Sequence, residues 1–205
     1  DVVEDLLHPE RFPLPIEDDI SRRYFMDINS PDTNVPQMAL WLYRMIHTKR
    51  PLEEKIALFW HYVFATSVSK SEHPPSSLIQ IDMFRQNGMG DFRAILTDLA
   101  KDPAMIHWLD NQDNHKGEIN ENWGRELLEL FSMGVGNYTE DDVQASAHAF
   151  TGWTIEQTIP RYPNGWYESR YVFRENDHDH SNKTFLGKQG EFGGDDIIDI
   201  VVTQP

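Results

Sequence analysis

The stretch at 120–153, NENWGRELLELFSMGVGNYTEDDVQASAHAFTGW, constrains the fold more than any other part of the chain. Apolar residues recur at helical spacing from Trp123 to Phe131, and two glycines that favour a helix end follow them. Thr139 then opens a second helix, with an acidic residue three positions later, as in a capping box. Because few residues join the two segments, the pattern predicts a helical hairpin at about 120–152.

Polar residues at the starts of helices predict further details of this region. Asn120, or alternatively Asn122, is the predicted cap of the first hairpin helix, and Thr139 is that of the second. Side chains of these types accept hydrogen bonds from free backbone N–H groups. Asp102 is predicted to cap an earlier helix, because Pro103 follows it at the first helical position.

The chain as a whole predicts a mainly α protein, an irregular multi-helix array. After Trp153 the sequence turns β-branched and aromatic, which predicts a small β-hairpin or extended excursion at about 154–174. We expect a polar loop at 177–194 and a polar helix at 16–29. The simplest division is a single helical domain over 1–205, whose parts are N-terminal helices in 1–50, a helical core in 51–153, a β and loop excursion in 154–192, and the start of a further helix in 193–205.

Composition excludes several classes of function. The formal net charge is −16, which disfavours nucleic acid as a partner because phosphate binding needs clustered Lys and Arg. The chain contains no cysteine, so disulfides, thiol nucleophiles and Cys-type zinc sites are ruled out. No run of eighteen apolar residues is present, so no membrane-spanning segment is expected. The chain begins at Asp1 rather than Met and ends at Pro205, which suggests a processed or incomplete chain.

Glu126 and Glu129 form the first candidate site. Carboxylates at positions i and i+3 share one helix face, where they can bind a cation or act as an acid and a base. With the neighbouring Arg125 they are the candidate catalytic residues. The alternative is structural: these side chains hold neighbouring loops or form ion pairs.

The run Asp177-His178-Asp179-His180 is the second candidate site. Imidazole and carboxylate groups suit zinc, iron or manganese, although adjacent residues rarely all face one ion. His178 and Asp179, together with Glu126, Glu129 and His61, are the candidate metal ligands, and a divalent metal is the candidate cofactor. The alternatives are a solvated or structural loop and, for His61 amid aromatic residues, a hydrogen-bonded core position. No dinucleotide, phosphate-loop, HExxH or GxSxG motif is present.

Several strings resemble the bacterial family called domain of unknown function 1800, from about 51 to 205. They are EKIALFWHYVFATS, KDPAMIHWLD, NENWGRELLELFSMGVGNYTEDDV, AFTGW and KTFLG. The resemblance implies a mainly helical, often exported protein with no established activity, in a family whose members extend beyond both ends of this chain. It also implies a periplasmic, envelope or extracellular location and a protein partner, with a sulfatase-like family often encoded beside it as the candidate.

Two positions depart from the family's pattern. Relatives often read WH-x-H where this chain has Val63 in place of the second His, and they usually carry Arg where it has His148. The matched polar residues are His61, Asp110, Asn114, Asn120, Glu121, Asn122, Arg125, Glu126, Glu129, His178, Asp179 and Lys183.

Two functions therefore remain open. The favoured one is a non-catalytic helical module of structural or interaction type, in an exported or envelope-associated assembly. The alternative is a metal-dependent hydrolase, in which the pair Glu126/Glu129 and the pair His178/Asp179 converge on one metal ion that activates water.

Overall fold

The computed structural model describes residues 2–13, 34–71, 74–156 and 169–205. The predicted helix at 16–29 and the middle of the predicted β excursion lie outside these residues. Within them helices dominate and the strands form only two short pairs, so the prediction of a mainly α protein is confirmed. No helix in the described ranges combines the length and the apolar character that crossing a membrane requires.

The chain groups into two compact units, where the sequence predicted one domain. Unit 1 comprises Asp1–Asp91 with Ile159–Tyr167, and unit 2 comprises Phe92–Thr158 with Glu168–Pro205.

Unit 1 consists of helices packed around aromatic residues. Phe64 and Phe84 are fully buried, with ring centroids 5.9 Å apart, and Trp60 stacks on Phe64 at 5.2 Å. Trp60 also donates a 2.8 Å hydrogen bond from Nε1 to the carbonyl of Gly88. This bond fixes the backbone directly after the helix that ends at Asn87. In the described part of this unit the α-helices are α1 (Val2–Leu7), α2 (Val35–His47), α3 (Pro51–Val63), α4 (Val68–Ser71) and α5 (Pro74–Asn87).

A buried ion pair joins α3 to α5. Glu54 is buried and accepts hydrogen bonds from Arg85 Nε at 2.6 Å and Nη2 at 3.1 Å. Trp41 of α2 adds a third donor, with Nε1 at 3.0 Å from Glu54 Oε2. Arg85 also contacts Asp82, so the charge buried with Glu54 is hydrogen-bonded on both sides, as a buried charge requires.

Among its described residues, unit 2 has five α-helices and four short strands. Its apolar core includes Leu99, Met105, Leu127, Phe150 and Ile197, all essentially inaccessible to solvent. The helices are α6 (Phe92–Ala100), α7 (Pro103–Trp108), α8 (Asn122–Glu129), α9 (Glu140–Ala149) and α10 (Gly194–Val201), and the strands are β1 (Trp153–Glu156), β2 (Arg170–Phe173), β3 (Lys183–Phe185) and β4 (Lys188–Gly190).

The strands form two antiparallel pairs. In the β1–β2 pair Trp153 lies opposite Phe173, and this pair occupies the described ends of the predicted excursion at 154–174. The β3–β4 pair lies within the segment that the sequence predicted as a polar loop. Its turn places Leu186 and Gly187 at φ +46° and +76°, the left-handed conformation of a tight hairpin turn.

Candidate functional site

The helix pair α8–α9 forms the base of the region that holds most of the candidate residues. The two helices approach closely at Gly124, where an added Cβ would lie 3.0 Å from Ala147 N and 3.1 Å from Ser146 Oγ. Trp123 and Val143 are buried in the same pair, and Trp123 packs edge-on against Phe150 with centroids 5.6 Å apart. The predicted hairpin at 120–152 is therefore two tightly packed helices.

Thr139 and Asp142 form a reciprocal capping box at the start of α9. Thr139 Oγ1 accepts from Asp142 N at 3.2 Å, and Asp142 Oδ2 accepts from Thr139 N at 2.9 Å. The other carboxylate oxygen, Oδ1, accepts from Leu186 N at 2.7 Å and so fixes the β3–β4 turn. Burial would raise the pKa of Asp142, but these hydrogen bonds outweigh it and lower the pKa below its ordinary value.

Three asparagines secure the segment that precedes α8. Asn114 is buried, donates from Nδ2 to the carbonyl of Ala147 at 2.8 Å and accepts from Asn120 N at 3.0 Å. Asn120 Oδ1 accepts from Asn122 N at 3.0 Å. The N-cap of α8 is Glu121, so the prediction that Asn120 occupies the cap position is wrong by one residue. The third, Asn111, donates to the carbonyl of Trp153 at 2.7 Å.

Asp102, the predicted cap of α7, accepts from Met105 N at 2.9 Å. This bond satisfies one of the backbone N–H groups left unpaired at the start of that helix.

Arg125 lies at the centre of an ion cluster on the surface of α8 and α9. Its guanidinium donates to both carboxylate oxygens of Glu140, at 2.9 and 2.6 Å, and to Glu121 at 2.6 Å. The hydrogen bonds to Glu140 and then Glu121 raise the pKa of Arg125 above its ordinary value. Arg125 thus joins the first turns of two helices.

Glu126 and Glu129 lie on α8, as the sequence predicted, and the carboxylate of Glu129 is hydrogen-bonded. It accepts from the hydroxyl of Tyr138 at 2.9 Å. Burial first, and the charge of Glu129 second, raise the pKa of Glu126, while the charge of Arg125 lowers it. The two carboxylates therefore repel each other, and the charge of Arg125 only partly offsets this repulsion.

His178 and Asp179 hold the loop after β2 against the end of α9. His178 is buried and donates from Nδ1 to the carbonyl of Thr151 at 2.8 Å. The backbone N–H of Asp179 donates to Thr151 Oγ1 at 2.8 Å, and its carboxylate lies 2.6 Å from His148 Nδ1. Both residues thus bind Thr151 at the end of α9, and the carboxylate of Asp179 also contacts His148.

The electrostatics of Asp179 follow from the same contacts. Burial would raise its pKa, but the hydrogen bonds from Ser181 and His148 and the charge of Lys183 lower it well below its ordinary value. Lys183 is itself buried and donates from Nζ to the carbonyls of Asp179 at 2.6 Å and Ser181 at 2.9 Å. Burial lowers the pKa of Lys183, and the charges of Asp179 and Glu191 oppose that change.

A second His–Asp contact anchors the same loop, and the sequence alone does not indicate it. His115 Nδ1 lies 2.5 Å from Asp177 Oδ2, and Lys116 N donates to Asp177 Oδ1 at 3.1 Å. Burial would raise the pKa of Asp177, but the hydrogen bonds from His115 and Lys116 lower it. Sixty-two residues separate the two partners, so no local pattern could have paired them.

His61, the remaining candidate ligand, belongs to unit 1, whereas the other four belong to unit 2. It lies on α3 with its ring edge-on to Trp41 at 5.4 Å. Burial lowers the pKa of His61, and a hydrogen bond with Gln80 opposes that change. Its ring is partly buried beside an aromatic residue.

The described ranges contain no group of three or more His, Asp or Glu side chains arranged to hold a metal ion. Within unit 2 the structure groups the candidates differently from the metal hypothesis. Glu126 and Glu129 lie with Arg125 and Tyr138, and His178 and Asp179 lie with Thr151, His148 and Lys183.

The fold and these contacts define a mainly helical protein in which polar side chains fix long loops to a closely packed helix pair. A family model described as "Protein of unknown function (DUF1800)" matches residues 27–205. The chain belongs to this family. Neither the curated proteins nor the solved structures contain a significant match.

Proposed function

We propose that this chain is a non-catalytic helical module in an exported or envelope-associated assembly. One observation carries the proposal: the side chains most suggestive of a site are hydrogen-bonded within unit 2. His178 donates to a backbone carbonyl, Lys183 to two, and Asp179 contacts His148 and Ser181. Such contacts rigidify loops on a scaffold, which is what a binding surface requires.

The proposed partner is the sulfatase-like protein that is often encoded beside members of this family. Export is proposed on the same resemblance.

Co-expression of the chain with the sulfatase-like protein encoded beside it tests the proposal. We expect the two proteins to co-elute, and the variant Glu126→Gln to bind the partner within about 2-fold of the parent, because Glu126 makes no contact that fixes a loop. A variant that alters the surface in contact with the sulfatase-like protein, and that stays folded, should lose binding to that protein. Circular dichroism establishes that each variant is folded.

A parallel activity screen distinguishes the proposed non-catalytic module from a metal-dependent hydrolase. The purified chain, loaded with zinc or manganese, is assayed on phosphate, carboxylate and sulfate esters, and its metal content is measured. Turnover that disappears in Glu126→Gln, with the fold intact, would overturn the module proposal. Absence of co-elution together with absence of turnover would reject the proposed partner.

A further inference from the structure

Two helices of unit 1 expose large apolar side chains along their outer faces. On α2, Met38, Leu42 and Ile46 follow one another at intervals of four residues and are 55%, 57% and 74% exposed. On α3, Leu58, Phe59 and Tyr62 are exposed as well, with Tyr62 at 84%. We call these six residues the α2–α3 face.

Residues four apart lie on one side of a helix, so each helix presents a continuous apolar ridge to solvent. The opposite sides of the same helices are already used, because Leu40 of α2 and Ala57 of α3 are buried. A helix that is apolar on both sides is typical of one that has a partner on both sides. Exposed large apolar side chains in such number commonly mark an interaction site.

The charges around the α2–α3 face differ from those of the rest of the chain. From Val35 to Val63 the only carboxylates are Glu53 and Glu54. Glu54 is buried with Arg85, and Glu53 is paired with Arg50 with only 14% of its side chain exposed. The exposed charged side chains in this range are Lys49 and Lys55.

We propose that the α2–α3 face binds the same face of a second copy of this chain and forms a twofold-symmetric dimer. The proposal rests on the proposed function as an assembly module and names one of its contacts. Burying the six side chains would remove roughly 800 Å² of accessible surface per chain, about the area that each partner contributes to a stable interface. Most oligomers of identical chains have this symmetry, in which one patch serves both copies.

Electrostatics favour this face over the rest of the surface for self-association. A chain of net charge −16 repels its own copies wherever carboxylates are exposed. Neither helix contributes an exposed carboxylate to the α2–α3 face, so electrostatic repulsion between two copies is weakest there. An anionic bilayer is a poorer occupant, because the whole chain is repelled by it and only Lys49 and Lys55 attract it.

Sedimentation equilibrium of the full chain tests the proposal. We expect a dimer of twice the 23.9 kDa chain mass at concentrations of tens of micromolar. The double variant Leu42→Glu with Ile46→Glu places four charges in the contact and should weaken dimerisation by at least about 100-fold. The matched control is Leu130→Glu with Val135→Glu, exposed apolar residues of unit 2, which should leave the dimer intact.

The milder pair Met38→Ser with Tyr62→Ser gives a second measurement if the glutamates unfold unit 1. A parent chain that is monomeric at about 100 μM, a dimer that survives both sets of variants, or equal loss in the unit 2 control would overturn the proposal. So would flotation with phosphatidylglycerol vesicles that Leu42→Glu abolishes. If the chain is a monomer but still co-elutes with the sulfatase-like protein, the dimer is rejected and the proposed partner is kept. If the chain is a dimer but does not co-elute with that protein, the proposed partner is rejected and the dimer is kept.

Discussion

At the scale of single residues, Asp142 connects two segments that lie far apart in the sequence. One carboxylate oxygen closes the capping box of α9, and the other holds the N–H of Leu186 at the β3–β4 turn. The i to i+3 spacing of Thr139 and Asp142 makes the box predictable from sequence. The second contact is not predictable, because it depends on a left-handed turn 44 residues further along the chain.

Replacing Asp142 with Asn should destabilise the protein by about 2 kcal/mol, because the amide can satisfy only part of this donor set. The control is Asp141→Asn, an exposed neighbour in the same first turn. Urea unfolding at pH 7 measures both, and equal loss in the two variants would contradict the role assigned to Asp142.

The same variant has a defined pH dependence. The pKa of Asp142 is lower in the folded state, so its contribution to stability is present above the pKa of the unfolded residue, about 3.9. It is lost as the pH falls through the folded pKa. The difference between parent and Asp142→Asn should therefore be constant from pH 7 to pH 5 and shrink below about pH 4, as measured by urea unfolding at each pH.

Glu126 should show the opposite sign. Burial and the charge of Glu129 raise its folded pKa, so its contribution is favourable below the unfolded pKa, near ~4.3, and is lost as the pH rises through the folded pKa. Glu126→Gln should then stabilise the protein at pH 7, by less than about 1 kcal/mol because solvent screens the partly exposed pair. Glu118→Gln, an exposed carboxylate before α8, is the control, and thermal unfolding that shows destabilisation would contradict the argument.

At the scale of elements, the sequence predicts the helices better than it predicts the strands. The apolar spacing from Trp123 to Phe131 and the capping box mark α8 and α9 because both signals are local. The β3–β4 pair was predicted as a loop, since Leu186-Gly187 lacks the Asn-Gly or Asp-Gly pattern typical of such turns. Its conformation is supported from α9 through Asp142, which local sequence cannot reveal.

The turn from α9 to β1 depends on a glycine for two reasons. Gly152 has φ +77°, and an added Cβ would lie 2.6 Å from the carbonyl oxygen of Arg174. Gly152→Ala should therefore cost about 2–4 kcal/mol, from backbone strain and from displacement of Arg174, the residue that follows β2. Gly117→Ala is the matched control: it has φ +89° with open space around the new Cβ, so its cost in chemical denaturation should be only about 1–2 kcal/mol. Equal costs would mean that the close contact contributes nothing.

At the scale of the whole molecule, the sequence predicts the class of fold, whereas no local pattern indicates the grouping into two compact units. The break falls between Asp91 and Phe92, where Gly88 and Gly90 mark a helix boundary that looks like any other interruption. Which residues group into a unit depends on contacts such as that of Glu54 with Arg85, 31 residues apart. The candidate residues were likewise identified by type, whereas their partners were set by the fold.

If the two units are separate folding units, a defect in one should leave the other protected. Glu54→Gln breaks the buried pair with Arg85 and should cost about 2–3 kcal/mol, since Asp82 still contacts the guanidinium. Amide hydrogen exchange should accelerate in α3 and α5 and stay unchanged in α8 and α9. Asp142→Asn should give the reverse pattern, which makes each variant the control of the other. If either variant accelerated amide exchange in both units, the two units would unfold together. A change in one hydrogen-bonded network would then increase exchange throughout the chain.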